Sequence, residues 1–285
     1  MSIHPTALVS REAELALDVS IGPLVVVEAG ASIGPRCIIE TRAVIKRGTA
    51  IGADNHVFEG VVLGGLPQHV HPPDRPGRLL IGNGNTFREN TTVHVALDAR
   101  NATVIGDSNY FMVNTHIAHD CRVGNQTIFA NNAMLAGHVK VDDRAYLSGA
   151  AAVHQFARIG RLAMVGGQAH ITRDVPPFVT VDGLSSLIVG INQIGMRRAG
   201  IELAGIRQIK AAYRVIYRSG LLWRDVLEKL RTEFTDGPAA EFHDFLASTG
   251  RGITPERRPP PGATVKLYDQ DESDSKPSKL QTKAG

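Results

Sequence analysis

The sequence predicts an all-β solenoid, a parallel β-helix with about eighteen residues per coil, followed by a small α-helical C-terminal domain. Three observations carry this. Stepping six residues at a time from Ile3 gives Val9, Leu15, Ile21, Val27, Ile33, Ile39, Ile45, Ile51, Val57 and Leu63; the ladder returns in phase at Ile81, Phe87 and Val93, and again from Ile105 to Ile171. A period of six is neither 3.6 nor 2, so it describes one flat face of a three-sided coil, with the ladder residue pointing inward. Glycine follows the ladder position at Gly22, Gly34, Gly52, Gly64, Gly82, Gly106, Gly124, Gly160 and Gly166, where a corner needing positive φ is expected. After Asp174-Val175-Pro176-Pro177 the hexads stop, and from Leu203 apolar residues recur at helical spacing: Ile206, Ile209, Tyr213, Ile216 and Tyr217.

Of the 285 residues, 43% are hydrophobic and 21% charged, which suits one large domain with a smaller companion. A net charge of +3 is too weak to argue for nucleic acid. No run of 18 apolar residues marks a membrane span and no basic-then-apolar signal opens the chain, so a cytoplasmic protein without membrane insertion is expected.

Residues 1–180 hold the coils. Two places before the ladder the chain is small, as at Ala31, Ala43, Thr115, Thr127, Ala133 and Ala145, which suits cramped interior slots. Cys37 and Cys121 fall in the same slot, predicting buried structural thiols rather than a disulfide or a nucleophile. Between residues 64 and 80, Pro67, Pro72, Pro73 and Pro76 cannot serve in a β ladder, so this stretch is an excursion loop, either functional or inert. A shorter irregularity lies near 96–102. Residues 181–253 form the helical domain, with Gly220 and Asp236-Gly237-Pro238 as stops before a short helix through Phe242, Phe245 and Leu246. Its first helix carries Arg207, Lys210, Arg214 and Arg218 on one stripe, which is either a solvated face or a dock for an acidic partner. Residues 254–285, with Pro259-Pro260-Pro261 and an acidic run from Asp269 to Asp274, read as a disordered tail.

The coil period gathers histidines. With eighteen residues per turn, Gly137 stacks on His119 and Gln155 on Gly137, His138 and His154 flank that column, and His116 shares a coil with His119. A neutral imidazole can take a proton from a hydroxyl, and a backbone N–H at a glycine corner can meet the oxyanion that forms, which together suit acyl transfer without a covalent intermediate. The rival chemistry for clustered histidines is a zinc site, three imidazoles holding a metal and its water.

The runs Asn114-Thr115-His116-Ile117-Ala118-His119-Asp120-Cys121, Asn131-Asn132-Ala133-Met134-Leu135-Ala136-Gly137-His138-Val139, Ala152-Val153-His154-Gln155-Phe156, Gly190-Ile191-Asn192 and Ala212-Tyr213-Arg214-Val215-Ile216-Tyr217-Arg218-Ser219-Gly220 resemble the UDP-N-acetylglucosamine O-acyltransferases of lipid A biosynthesis, over roughly residues 1–253. The resemblance implies a left-handed β-helix, a homotrimer with active sites between subunits, no metal and no cofactor. It also implies transfer of a 3-hydroxyacyl chain from acyl carrier protein to the 3-hydroxyl of UDP-N-acetylglucosamine, with the basic stripe as the carrier's dock. His119 matches the general base, with Asp120 after it, and Gly137 matches the oxyanion donor. Gln68, His69, His71, His116, His138, His154 and Gln155 match positions around the sugar, the diphosphate and the acyl chain, and Asn192 and Arg198 match nucleotide contacts. Met164 and Gly167 match the acyl-chain path; glycine at 167 leaves room for a chain of around fourteen carbons.

The chain departs from the family pattern where His69 replaces an Asp, His71 a Lys, Ile194 an acidic residue and Ala199 the second Arg of a pair. These changes bear on how the sugar nucleotide is held. Two other activities suit the same pattern: a related N-acyltransferase acting on an amino-sugar nucleotide, and a zinc hydratase of the γ-carbonic-anhydrase type.

Overall fold

A computed structural model describes residues 2–71 and 74–257. Short strands, most of two residues, stack into three sheets of 11, 9 and 8 strands among the described residues, and these are the faces of a triangular prism. Ser2 pairs with Ser20 and Ser20 with Ile38, all parallel, so each coil takes 18 residues. The ladder side chains fill the prism: Ile39, Val57, Phe87, Phe111, Phe129 and Leu147 are buried at 0–1% exposure. Phe87, Phe111 and Phe129 stack along the axis with centroids 4.9 and 5.0 Å apart, close to the strand spacing of a sheet.

Two coils are longer. Val57 pairs with Phe87 across the excursion loop and Phe87 with Phe111 across the second irregularity. The repeat there is 30 and then 24 residues instead of 18, which adds 12 and 6. Both additions are multiples of six, so each returns the chain to the same face and the ladder resumes in phase.

The corners differ from the sequence expectation. Of the nine glycines after ladder positions only Gly64 has positive φ. The left-handed residue lies two places further on and is usually not glycine: Arg36, Asp54, Asn90, Asn114, Asp120, Asn132, His138 and Ala150 all have φ near +60°. Such a conformation costs a non-glycine residue roughly 1–2 kcal/mol. Stacking offsets it, because the corner N–H donates to the coil below, as from Asn132 to Val113 O at 3.0 Å and from Ala150 to Asn131 O at 2.9 Å. The glycines answer a different need. A Cβ at Gly34 would lie 2.6 Å from the Gly52 carbonyl carbon, and one at Gly52 2.6 Å from Gly82 O, so the coils approach too closely there for any side chain.

The small interior slots are as read, and the two thiols in them are free and buried. Cys121 Sγ donates to Ala136 O at 3.1 Å, and burial pushes its thiol up to about 12. Asn55, Asn85 and Asn109 occupy neighbouring slots as a satisfied polar ladder, each side-chain oxygen taking the backbone N–H of the next coil at 2.8–2.9 Å.

Beyond Ile171 the first sheet continues through Val179–Val181 and turns back antiparallel in Ile188–Ile191, so a strand pair precedes the helices. Then come α1 (Gln193–Arg198), α2 (Leu203–Arg218), α3 (Trp223–Glu233) and α4 (Glu241–Ala247). Ile206, Ile209, Leu230 and Phe242 bury one face each of α2, α3 and α4 in a cluster with Leu162 and Phe178 of the solenoid. Arg158 lies over the Phe245 ring at 4.0 Å and Arg161 bonds Glu241 Oε2 at 2.8 Å, which ties α4 down.

Residues 254–257, read with the tail, instead pack against the helical domain and the last strand. Thr254 is buried, Arg257 N donates to Ile188 O at 2.8 Å, and Glu256 accepts from Tyr213 and Arg218 at 2.7 and 2.6 Å. Residues 258–285 lie outside the described residues. Among those described, no helix is long and apolar enough to cross a membrane.

Candidate active site

His119 and Asp120 close one corner of the prism and Gly137 and His138 the same corner one coil further on. Asp120 is in the left-handed conformation, at φ 60°, and its N–H donates to Thr103 Oγ1 at 2.8 Å. At most corners that N–H meets a carbonyl of the coil below, but here, as at Leu24 and Arg36, it meets a side-chain oxygen, which the lengthened coil supplies. The turn aims the Asp120 carboxylate back along its own chain. Oδ2 takes the His119 Nδ1 proton at 2.9 Å and the Leu97 N–H at 3.0 Å. His119 therefore keeps its proton on Nδ1 and presents a bare Nε2.

That bare edge faces Gly137. A Cβ on Gly137 would sit 2.5 Å from His119 Cε1 and 2.7 Å from Nε2, so only glycine fits opposite the imidazole. Among the described residues the Gly137 N–H has no acceptor. His138 N donates to His119 O at 3.0 Å and Phe156 N to Gly137 O at 3.1 Å, which locks three successive coils together. The His138 ring lies 5.2 Å from that of His119, nearly perpendicular, and stacks on Phe156 at 4.7 Å.

His116 points outward on the adjoining face, with Nδ1 2.8 Å from Thr92 Oγ1. Its ring meets His94 edge-on at 4.7 Å. His94, 7% exposed with Nδ1 unpartnered among the described residues, was not singled out in the sequence. Burial, then its neighbours His116 and His119, lowers its pKa to about 4, and burial lowers that of His116, so both rings are neutral near pH 7. The excursion loop brings His69 to the same corner, its ring 6.4 Å from that of His119, while His71 N donates to His69 Nδ1 at 3.1 Å. Gln68 and His71 are exposed on the loop; Gln155 is exposed one coil past Gly137, beside His154.

Met164, Asn192 and Arg198 are not at that corner. They line a groove of about 1020 Å³ between α1 and the outer side of the eleven-stranded sheet, with Tyr146, Ile194 and Ala199. The Asn192 side chain is occupied: Oδ1 caps α1 by accepting from Gly195 N, and Nδ2 donates to Leu162 O, both at 2.9 Å. Gly167 sits on the corner above Gly149, where a Cβ would meet Gly149 O at 3.3 Å. On α2, Arg207, Lys210 and Arg214 are exposed, whereas Arg218 is spent on Glu256.

His119, Asp120 and His138 also offer three ligand atoms within 4.8 Å of one another, close enough to hold a metal ion. To share one ion with Asp120, His119 would have to use Nδ1, the nitrogen already bonded to that carboxylate, because Nε2 points away from it. The arrangement fits a histidine positioned by an acid better than a pair of metal ligands.

A family described as UDP N-acetylglucosamine O-acyltransferase, domain 2, matches residues 174–254, and six bacterial transferase hexapeptide repeats match residues 102–137. Acyl-[acyl-carrier-protein]–UDP-N-acetylglucosamine O-acyltransferases from Halorhodospira halophila and Verminephrobacter eiseniae are 46% and 44% identical, each over 88% of this chain and 98% of the relative. Among solved structures, the UDP-N-acetylglucosamine acyltransferase of Francisella novicida superimposes with a TM-score of 0.88 at 30% identity over 93% of this chain and all of that one. The Acinetobacter baumannii protein superimposes with a TM-score of 0.85 at 37% identity, over 88% of this chain and 99% of that one. The solenoid is accordingly a left-handed parallel β-helix with a helical C-terminal domain. Identity at this level, running through both the coils and the helices, makes the chain a member of the UDP-N-acetylglucosamine O-acyltransferase family.

Proposed function

We propose that the protein transfers a 3-hydroxyacyl chain from acyl carrier protein to the 3-hydroxyl of UDP-N-acetylglucosamine, the first step of lipid A synthesis, in the cytoplasm and as a homotrimer. The observation that carries this is the His119–Asp120 pair facing a glycine with an unused N–H. His119 Nε2 removes the proton from the sugar hydroxyl as its oxygen attacks the thioester carbonyl carbon. The Asp120 carboxylate fixes the tautomer and stabilises the imidazolium that forms. Negative charge gathers on the carbonyl oxygen, where the Gly137 N–H donates to it. Collapse breaks the C–S bond, and the imidazolium returns its proton to the departing thiolate of the carrier. No residue of the chain is acylated.

The division of the other residues between two places supports the trimer. Asn192, Arg198 and Met164 line a groove on one face, and the histidine corner lies on another, so one chain's groove can complete the next chain's corner. His116, His138, His154, Gln68, Gln155, His69 and His71 would then surround the sugar and its diphosphate, with Gly167 along the acyl path. The exposed cations Arg207, Lys210 and Arg214 suit an acidic carrier protein. Purified enzyme given UDP-N-acetylglucosamine and a series of acyl carrier proteins should yield the 3-O-acyl product by mass spectrometry, and His119→Ala should abolish it. Product retained by His119→Ala would overturn the base assignment.

A further inference from the structure

The stripe on α2 has a second feature beside it. Directly after Gly220 the chain exposes Leu221, Leu222 and Trp223, at 45%, 65% and 42%, so three large exposed apolar side chains follow the exposed cations Arg207, Lys210 and Arg214 along the chain. The described chain ends at the same place, because Glu256 is bonded to Arg218 and Tyr213 at the C-terminal end of α2. Past Arg257 the sequence has the complementary order: apolar Val265, Leu267 and Tyr268, then Asp269, Asp271, Glu272 and Asp274. We infer that segment 265–274 of this chain docks on its own helical domain, with Val265, Leu267 and Tyr268 against Leu221–Trp223 and the acidic run along Arg214, Lys210 and Arg207.

The lengths agree. Eight residues from Arg257 to Val265 reach at most about 29 Å, more than enough to pass from the end of α2 to the residues just beyond it. Arg214 and Arg207 are seven helical residues apart, about 10 Å, and an extended run from Asp269 to Asp274 spans about 17 Å. Exposed ion pairs are individually weak, so the contact owes its occupancy to tethering, which holds the segment at millimolar effective concentration. The functional consequence rests on the carrier-docking reading: the segment would occupy the surface proposed for acyl carrier protein and act as an internal competitor. The contact itself does not depend on that reading.

Trp223 is the only tryptophan and reports the contact directly. A variant ending at Arg257 should show Trp223 emission shifted to the red of the full chain, and the difference should collapse in about 0.5 M salt as ion pairs are screened. A synthetic peptide of residues 263–276 should restore the emission, and the same peptide with its four acids changed to Asn and Gln should not. In turnover the truncated enzyme should have a carrier-protein KM about threefold lower, with kcat and the KM for the sugar nucleotide unchanged. Identical emission in the two forms, or no response to the peptide, would overturn the docking. So would an emission difference that fades on dilution, which would put the segment on another copy. Emission that responds while KM does not would preserve the contact and sink the stripe as the carrier's dock.

Discussion

Asp120 uses one oxygen, Oδ2, to hold both the His119 Nδ1 proton, at 2.9 Å, and the Leu97 backbone N–H, at 3.0 Å. The imidazole is thereby anchored to the inserted bend of the second lengthened coil. Replacing Asp120 by Asn keeps the shape but offers a weaker acceptor and allows the wrong tautomer. Asp120→Asn should lower kcat by about 10²–10⁴-fold with a small change in KM, by analogy with other acid–histidine pairs. Steady-state kinetics alongside a thermal melt would check this; a kcat within threefold of wild type would remove Asp120 from the proposed mechanism.

Gly137 and Gly149 provide a matched pair. A Cβ at Gly137 drives into the His119 ring, whereas one at Gly149 meets only Asn131 O at an ordinary 3.5 Å. Gly137→Ala should reduce kcat more than 100-fold and cost about 1–3 kcal/mol through overpacking, while Gly149→Ala should leave the fold within about 0.5 kcal/mol. Denaturant melts and initial rates on both variants make the comparison.

At Gly167 a Cβ would lie 3.3 Å from Gly149 O and 3.9 Å from Ser148 Cβ, so a longer side chain must extend away from the corner. Gly167→Met should shift the preferred donor to a shorter chain, each methylene left unburied costing about 0.8 kcal/mol. Competition among carrier-bound donors of increasing length reads this out, and an unchanged preference would take Gly167 off the acyl path.

His94 makes the protein acid-sensitive over a defined interval. Its folded pKa of about 4 lies below the ordinary histidine value of 6.5, so between those values the unfolded chain binds the extra proton and stability falls as pH falls. The contribution is complete above about pH 6.5, and roughly 3 kcal/mol should be lost by pH 4. His94→Gln should flatten the stability profile in this interval relative to wild type, as measured by urea melts at half-unit steps.

Arg207 and Lys210 are exposed cations without a partner among the described residues, whereas Arg218 is engaged by Glu256. Charge reversal at Arg207 or Lys210 should raise the carrier-protein KM about tenfold at low salt and less at high salt. Arg218→Glu should instead act on stability, because it sets two carboxylates against each other.

The prism is legible because its signal is chemical and local: an aliphatic or aromatic residue every sixth position needs no knowledge of what lies opposite. The corner formed by His119, Gly137 and Gln155 is legible because plain 18-residue coils separate its members. Counting in the other direction fails. Thr92 pairs with His116 across a coil of 24 residues, so His94 lies next to the site at a spacing that a uniform period does not reach. Hexad-multiple insertions leave no phase error to reveal them. Likeness alone points to His69, since nothing in the local sequence dictates the path by which the loop returns to His119. Positive φ attaches to positions that neighbouring coils impose, not to the residue type, which is why the glycines mislead. Glu256 groups with the tail by composition because its partners Tyr213 and Arg218 lie some forty residues away in sequence.

The two long coils also set a rule for altering this scaffold. Material can be spliced into a corner in units of one wall or two, and everything beyond the splice keeps its orientation. Grafts of six or twelve residues at an outward bend should leave downstream walls undisturbed, whereas an odd-sized graft would rotate every later coil and scatter the residues that now meet at a shared edge.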